Sequence, residues 1–306
     1  MDRFPTEKTY TLEDLDKWDR EAPSLAVLGF PVRHSVSPAM HNAAIAILNR
    51  KSSDFDGWKY FRFETRPEDL IKALPLFHEK GFFGLNLTVP HKEVVLPALD
   101  LVDPAAREIG AVNTLKRRGD GYEGFNTDGY GLEQGIRIEL QLEFAGRDVC
   151  ILGAGGAGRA AAVQALRSSC RSLTIVNRNQ DRLANLIAAI KPIAATRSIP
   201  LLGHSPSNDS LSLSPGALVV NATSLGLKSD DPLPIPESLL SGDIALYDMI
   251  YNPTETRLMK SVSQLGGSVA NGLSMLVYQG VRALEIWTET SIEASAMDSA
   301  ARSALA

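Results

Sequence analysis

Between residues 147 and 169 the chain reads RDVCILGAGGAGRAAAVQALRSS. Residues 149–152 form an apolar run with the length of a buried strand. Glycines follow at 153, 155 and 158, and the alanine-rich remainder has helix-forming composition. Strand, tight turn and helix in that order open a βα unit of a parallel sheet. The spacing G-x-G-x-x-G permits the turn and lets the backbone approach a pyrophosphate, whose charge meets the helix N-terminus. A glycine turn without a ligand reads the same locally, so the next strand has to decide.

That strand ends TIVNRNQDR, residues 174–182. In a dinucleotide site the residue closing it faces the adenosine ribose, and an acidic residue there bonds a free 2′-hydroxyl. Asn177 is neutral, and Arg178 and Arg182 follow it. An isolated pair of arginines at a helix start reads as solvated. Placed after the glycine turn, two guanidiniums suit a 2′-phosphate, which predicts NADP rather than NAD. Asp181 offsets part of their charge.

The rest of the chain alternates in the same way. SLAVLGF (24–30), YFRFET (60–65) and FFGLNLTV (82–89) read as strands. SPAMHNAAIAIL (37–48) and RPEDLIKALPLFHEKG (66–81) read as helices. Ser37 stands as N-cap before Pro38, and Gly81 closes the second helix. HKEVVLPALD starts another helix or turn. AVNTLKRR and GYEGFN form a hairpin joined by Gly119-Asp120. A second unit starts near 127 with a helix over 128–140. Strands are expected at 172–179, 217–224 and 244–251, with helices over 182–190 and 272–286. The tail reads as another helix or a frayed end. The fold class is α/β, with two α/β domains, a mainly parallel sheet in the first and a Rossmann-type sheet in the second.

The 306 residues, 44% hydrophobic and 22% charged, suffice for two domains. The net charge of −5 offers no basic face for nucleic acid. No apolar stretch approaches the ~18 residues of a membrane helix, and no apolar block follows a basic N-terminus. A cytoplasmic protein is expected, so the glycosylation patterns at Asn86 and Asn221 carry no weight. Cys150 and Cys170 have no metal or redox spacing.

The motifs SVSPAMHN, GLNLTVPHK, GAVNT, NTDGYG, GAGGAGRA, NRNQDR, NATSLG, DMIYNPTET and NGLSMLVYQG follow one another over residues 24–285. In kind and order they resemble the shikimate dehydrogenases, which reversibly reduce 3-dehydroshikimate to shikimate with NADPH. The resemblance implies a substrate domain over 1–126, completed by 272–306, and an NADP domain over 127–271. It implies Lys92 and Asp128 as the catalytic pair. Hydride reaching a carbonyl leaves an alkoxide that must be protonated, and an ammonium can relay that proton beside a carboxylate.

Ser35 and Ser37 match the serines that meet the substrate carboxylate, at a helix start that favours an anion. Ser35 is not needed as a cap and so carries more of the functional signal. Asn86, Thr88, Asn113 and Gln279 offer partners for ring hydroxyls, and Tyr251 can reach the carboxylate. The cofactor residues implied are Gly153, Ala154, Gly155, Gly156, Ala157, Asn177, Arg178, Arg182, Asn221, Thr223, Met249 and Gly272. No metal site is expected.

Residues 1–23 have no counterpart in the family. Asn179 stands where many members carry threonine, and Leu87 where valine is common. Two serines lean toward shikimate, but a quinate or dual quinate/shikimate dehydrogenase stays open. A non-catalytic NADP-binding regulator on the same fold predicts loss of Lys92 or Asp128, and both are present. A homodimer also stays open.

Overall fold

The computed structural model describes residues 3–306. The chain divides into two compact units. One runs to Thr127 and is completed by Gln279–Ala306; the other spans Asp128–Tyr278. Among the described residues, no helix is long and apolar enough to cross a membrane.

The first unit contains β1 (Thr9–Tyr10), α1 (Leu12–Asp16), β2 (Ser24–Gly29), α2 (Ser37–Lys51), β3 (Lys59–Glu64), α3 (Pro67–Glu79) and β4 (Phe82–Leu87). It continues with α4 (His91–Val94), β5 (Leu101–Val102), α5 (Pro104–Ile109), β6 (Thr114–Arg118) and β7 (Gly121–Phe125). Its sheet has the order β1-β3-β2-β4-β6-β7-β5. Four of the six pairings are parallel; β6 runs antiparallel to β4 and β7. Strand β2 is buried along its whole length, as a central parallel strand covered on both faces should be.

Residues 1–23 carried no assignment from sequence. From Thr9 onward they add an edge strand, and Thr9 lies opposite Arg62. Phe4, Tyr10, Leu15 and Trp18 are buried with Phe61, Phe63, Phe77 and Phe82. Trp18 meets Phe61 edge-on with ring centroids 4.8 Å apart. From Phe4 to Trp18 the stretch therefore contributes to the core of this unit.

The second unit begins with α6 (Asp128–Gly135), which runs on as a π-helical segment over Ile136–Leu140. There follow β8 (Asp148–Leu152), α7 (Gly156–Arg167), β9 (Ser172–Val176), α8 (Gln180–Thr196), β10 (Leu201–His204), β11 (Leu218–Asn221), β12 (Ala245–Asp248), α9 (Arg257–Gln264) and β13 (Ser268–Asn271). The order β10-β9-β8-β11-β12-β13 is wholly parallel. Chain order reverses direction between β8 and β11, which makes their carboxyl ends the crevice where ligands bind in such sheets. Helix α10 (Leu273–Thr288) belongs partly to each unit, and α11 (Ala294–Leu305) ends the chain.

Two local expectations need correction, and a third is decided between its alternatives. Helix α2 begins at Ser37 itself, with Val36 as N-cap and no side-chain cap. It is Ser35 that stabilises the start, its hydroxyl accepting from the Ser37 N–H at 3.3 Å. Helix α8 runs on past residue 190 through Pro192 to Thr196. Proline removes one N–H there, and the Leu183, Leu186, Ile190 and Ala194 stripe stays buried across it. The tail is helical rather than frayed, because Met297 and Ala301 bury its inner face.

Candidate active site

In the first unit the expected residues gather at one end of the sheet. Ser35 and Ser37 follow β2, while Asn86 is near the end of β4 with Thr88 just beyond it. Asn113 immediately precedes β6, whose first residue, Thr114, pairs with Asn86. Lys92 lies on α4, and its carbonyl accepts from the Val112 N–H at 2.8 Å. That bond fastens the lysine turn next to Asn113. The backbones of β2 and β4 stay close past their ends, since the Thr88 N–H donates to Leu28 O at 2.9 Å. A Cβ at Gly29 would stand 2.4 Å from Thr88 Cγ2, so glycine is needed there.

A buried polar network supports this end. Tyr60 donates to Asn86 Oδ1 at 2.8 Å, and the Ser37 hydroxyl bonds to the Tyr60 phenol. Burial pushes that phenol well above its ordinary pKa, so it remains a donor. Asn86 Nδ2 donates to Asn113 O at 3.1 Å and to Thr114 Oγ1 at 3.0 Å. Both amide protons of Asn86 are thus engaged, and only a lone pair on its oxygen is left. Ser37 is thus already engaged with Tyr60. Ser35, by contrast, accepts through its oxygen and keeps its own proton to give. Tyr60 was missed from sequence because its place in a strand alternation says nothing about its hydroxyl.

In the second unit Asp128 is the first residue of α6 and is 9% exposed. Tyr251 follows β12, half-buried, and burial raises its phenol. Gln279 is half-buried on the part of α10 that belongs to the first unit.

The glycine turn has the geometry its spacing predicts. Gly153 has φ +110°, where an L side chain would be strained, and a Cβ at Gly158 would lie 2.1 Å from Gly153 O. Gly155, Gly156 and Ala157 are exposed at the start of the twelve-residue α7, with helical N–H groups available. Asn177 Oδ1 accepts from the Ala154 N–H at 3.0 Å, so this asparagine braces the turn. Asn179 caps α8, accepting from the Arg182 N–H at 2.8 Å. Arg178 and Arg182 are exposed, and neither guanidinium forms an ion pair among the described residues.

At the end of β11, Asn221 is fully buried. Its Oδ1 accepts from the Thr223 N–H and hydroxyl, at 3.1 and 2.8 Å, and its Nδ2 donates to Asp248 at 3.0 Å. Asn221 thus shapes the Thr223 loop from within. Asp248 was also missed from sequence. It is completely buried and accepts from Thr256 Oγ1 at 2.7 Å and from the Ile250 N–H at 3.1 Å. Burial raises its carboxyl above the ordinary carboxylate range despite these bonds. The available signal was an acid closing the otherwise apolar ALYD strand. Half-buried Met249 follows it, and a Cβ at Gly272 would stand 2.0 Å from Met249 O.

Two family models match the chain. One, described as the shikimate dehydrogenase substrate binding domain, matches residues 27–115, and one described as the shikimate 5′-dehydrogenase C-terminal domain matches 272–302. A shikimate dehydrogenase (NADP(+)) of Symbiobacterium thermophilum is 40% identical over 92% of this chain and 94% of that protein. This chain belongs to the shikimate dehydrogenase family.

Among solved shikimate dehydrogenase structures, the Thermus thermophilus enzyme in complex with NADP(H) and shikimate is 33% identical. It aligns with a TM-score of 0.78 over 92% of this chain and all of that one. A quinate dehydrogenase from Corynebacterium glutamicum, in complex with NAD, is 28% identical, with a TM-score of 0.81 over 92% and 99% of the two chains. The first shikimate dehydrogenase match begins at residue 27, so the N-terminal edge strand and its aromatic residues lie outside it.

Proposed function

We propose that this chain is an NADP-dependent shikimate dehydrogenase that reversibly reduces 3-dehydroshikimate to shikimate, on the route to aromatic amino acids. The observation that carries the reading is the gathering of Ser35, Ser37, Asn86, Thr88, Asn113 and the Lys92 turn at one end of the first sheet.

The second unit fits NADP. The cradle from Gly153 to Ala157 takes the pyrophosphate, and Asn177 braces it through Ala154. Arg178 and Arg182 have charge to spare for the 2′-phosphate. Thr223, on the loop built by Asn221, and Met249 beside Gly272 serve the nicotinamide end. When bound, the cofactor supplies or accepts the hydride.

The chain's own residues manage the proton and the substrate. As the carbonyl oxygen gains charge during reduction, Lys92 Nζ gives it a proton; in oxidation the amine takes that proton back. Asp128 is assigned with Lys92 as the acid–base pair of the reaction. Ser35 donates to the substrate carboxylate, and Ser37 joins once it turns from Tyr60. Tyr251 serves the same carboxylate. Thr88, Asn113 and Gln279 bond the ring hydroxyls, and Asn86 accepts one more.

A cytoplasmic setting belongs to this reading, as does a homodimer, which light scattering distinguishes from a monomer. The direct test is incubation of the purified chain with shikimate and NADP. Formation of reduced cofactor is expected. No turnover with either shikimate or quinate would remove the enzyme reading.

A further inference from the structure

Arg62 belongs to none of the motifs above. It sits on β3, opposite Thr9 of the edge strand on one side and Val27 of β2 on the other. Two of its guanidinium nitrogens donate to backbone, while the buried Nε has no partner among the described residues. Nη1 donates to Arg33 O at 2.7 Å and to Ser35 O at 2.9 Å, and Nη2 donates to Glu7 O at 2.7 Å. The neighbouring carboxylate of Glu64 is paired with Arg33 instead, at 3.2 Å.

Two features of this arrangement matter. First, the turn that carries Ser35 and Ser37 is held from both sides. Ser35 Oγ accepts from the Ser37 N–H inside the turn, and Arg62 grips the carbonyls of Arg33 and Ser35 from the sheet. Only a planar fork reaches these carbonyls and that of Glu7 together; an ammonium is a compact point donor on a flexible stem. Second, the hydrogen bonds of this cation go to neutral carbonyl oxygens and not to a carboxylate, although the Glu7 carboxylate is near enough to act on it. The positive charge lies behind a turn proposed to meet an anion.

We propose that Arg62 is a positioning residue for recognition of the substrate carboxylate. It fixes the Ser35–Ser37 turn and ties it to the N-terminal segment at Glu7, which thereby becomes part of the substrate apparatus. This inference rests on the proposed role of the two serines.

The test compares Arg62→Gln and Arg62→Lys with Ser35→Ala and Ser37→Ala, and with the double variant Arg62→Gln/Ser35→Ala, in steady-state kinetics. Arg62→Gln should raise KM for shikimate by about tenfold, the scale of one charge-assisted contact. Its kcat and its KM for NADP should stay within about twofold, since the cofactor and the proton-transfer groups are elsewhere. Arg62→Lys, which keeps the charge and loses the fork, should show a smaller rise. The double variant should fall short of the product of the single effects, because both act through one turn.

A purely structural role would lower the melting temperature and shift all constants together, or leave KM unchanged; either result overturns the proposal. If Arg62→Gln does not fold, the KM of Arg62→Lys decides in the same way. Unchanged KM in both serine variants overturns the serine reading and this inference with it. A raised KM in the serine variants beside an unchanged KM in the Arg62 variants overturns this inference alone.

Discussion

Asn113 holds Thr127 with both ends of its amide: Nδ2 donates to Thr127 Oγ1 at 2.9 Å, and Oδ1 accepts from the Thr127 N–H at 2.8 Å. Both residues are 1% exposed, and Thr127 is the residue before Asp128. A side chain assigned to substrate thus also fixes the backbone that leads to a proposed catalytic carboxylate. Asn113→Ala strands a buried N–H and a buried hydroxyl and should cost about 2–4 kcal/mol in denaturant unfolding. Thr127→Val keeps the backbone bond and should cost about 1 kcal/mol. The opposite order would contradict the assignment of this pair.

Lys92 is proposed to move the proton and not to bind cofactor. Lys92→Ala should lower kcat by about 10²–10⁴-fold, the usual contribution of a positioned acid–base group. The dissociation constant for NADP should change less than about twofold. Unchanged turnover would remove the lysine from the reaction.

Arg178 and Arg182 are exposed and form no ion pair among the described residues, so their charge is available to the extra phosphate that separates NADP from NAD. Arg178→Ala should weaken NADP by about 10–100-fold and NAD by less than about twofold. Isothermal titration of each cofactor reads the difference. Equal losses would count against a phosphate clamp.

Much of this organisation was legible in the residues. The turn after β8 needs glycine at 153 and 158 for reasons of φ and close approach that sequence spacing encodes directly. The buried strands β2 and β4 declare themselves by apolar length. Strands β10 and β13 did not, because LLGH and SVAN are four residues long and only partly buried, so neither alternation nor an apolar run marks them. Edge strand β1 has two residues and exists through its pairing with β3, which no local pattern records. The same holds for the site. Residues in motifs could be named, but Tyr60 and Arg62 lie outside them and act through partners distant in sequence. The start of α2 was misassigned between neighbours: Ser35 and Ser37 are equally good caps by composition, and only the turn between them shows which oxygen accepts.

His41 gives the first unit a calculable acid sensitivity. Its ring is fully buried, lies flat on Tyr60 with centroids 4.1 Å apart, and burial pushes its pKa from 6.5 down to about 3. Neither ring nitrogen has a hydrogen-bond partner among the described residues. Below its unfolded pKa of 6.5, the unfolded chain takes a proton that the folded chain refuses, so stability falls as pH drops toward 3. For one such group the loss reaches about 2 kcal/mol at pH 5. His41→Phe keeps the stacking and removes the titration. Relative to wild type it should therefore gain about that much stability between pH 7 and pH 5 in denaturant unfolding. Parallel pH profiles for the two proteins would show that this histidine is accessible to protons in the folded state.

The most direct measurement of the functional assignment is kcat/KM for shikimate and for quinate, each with NADP and with NAD. Shikimate with NADP is predicted to be the preferred pair. A higher value for quinate, or for NAD with either substrate, would contradict the account.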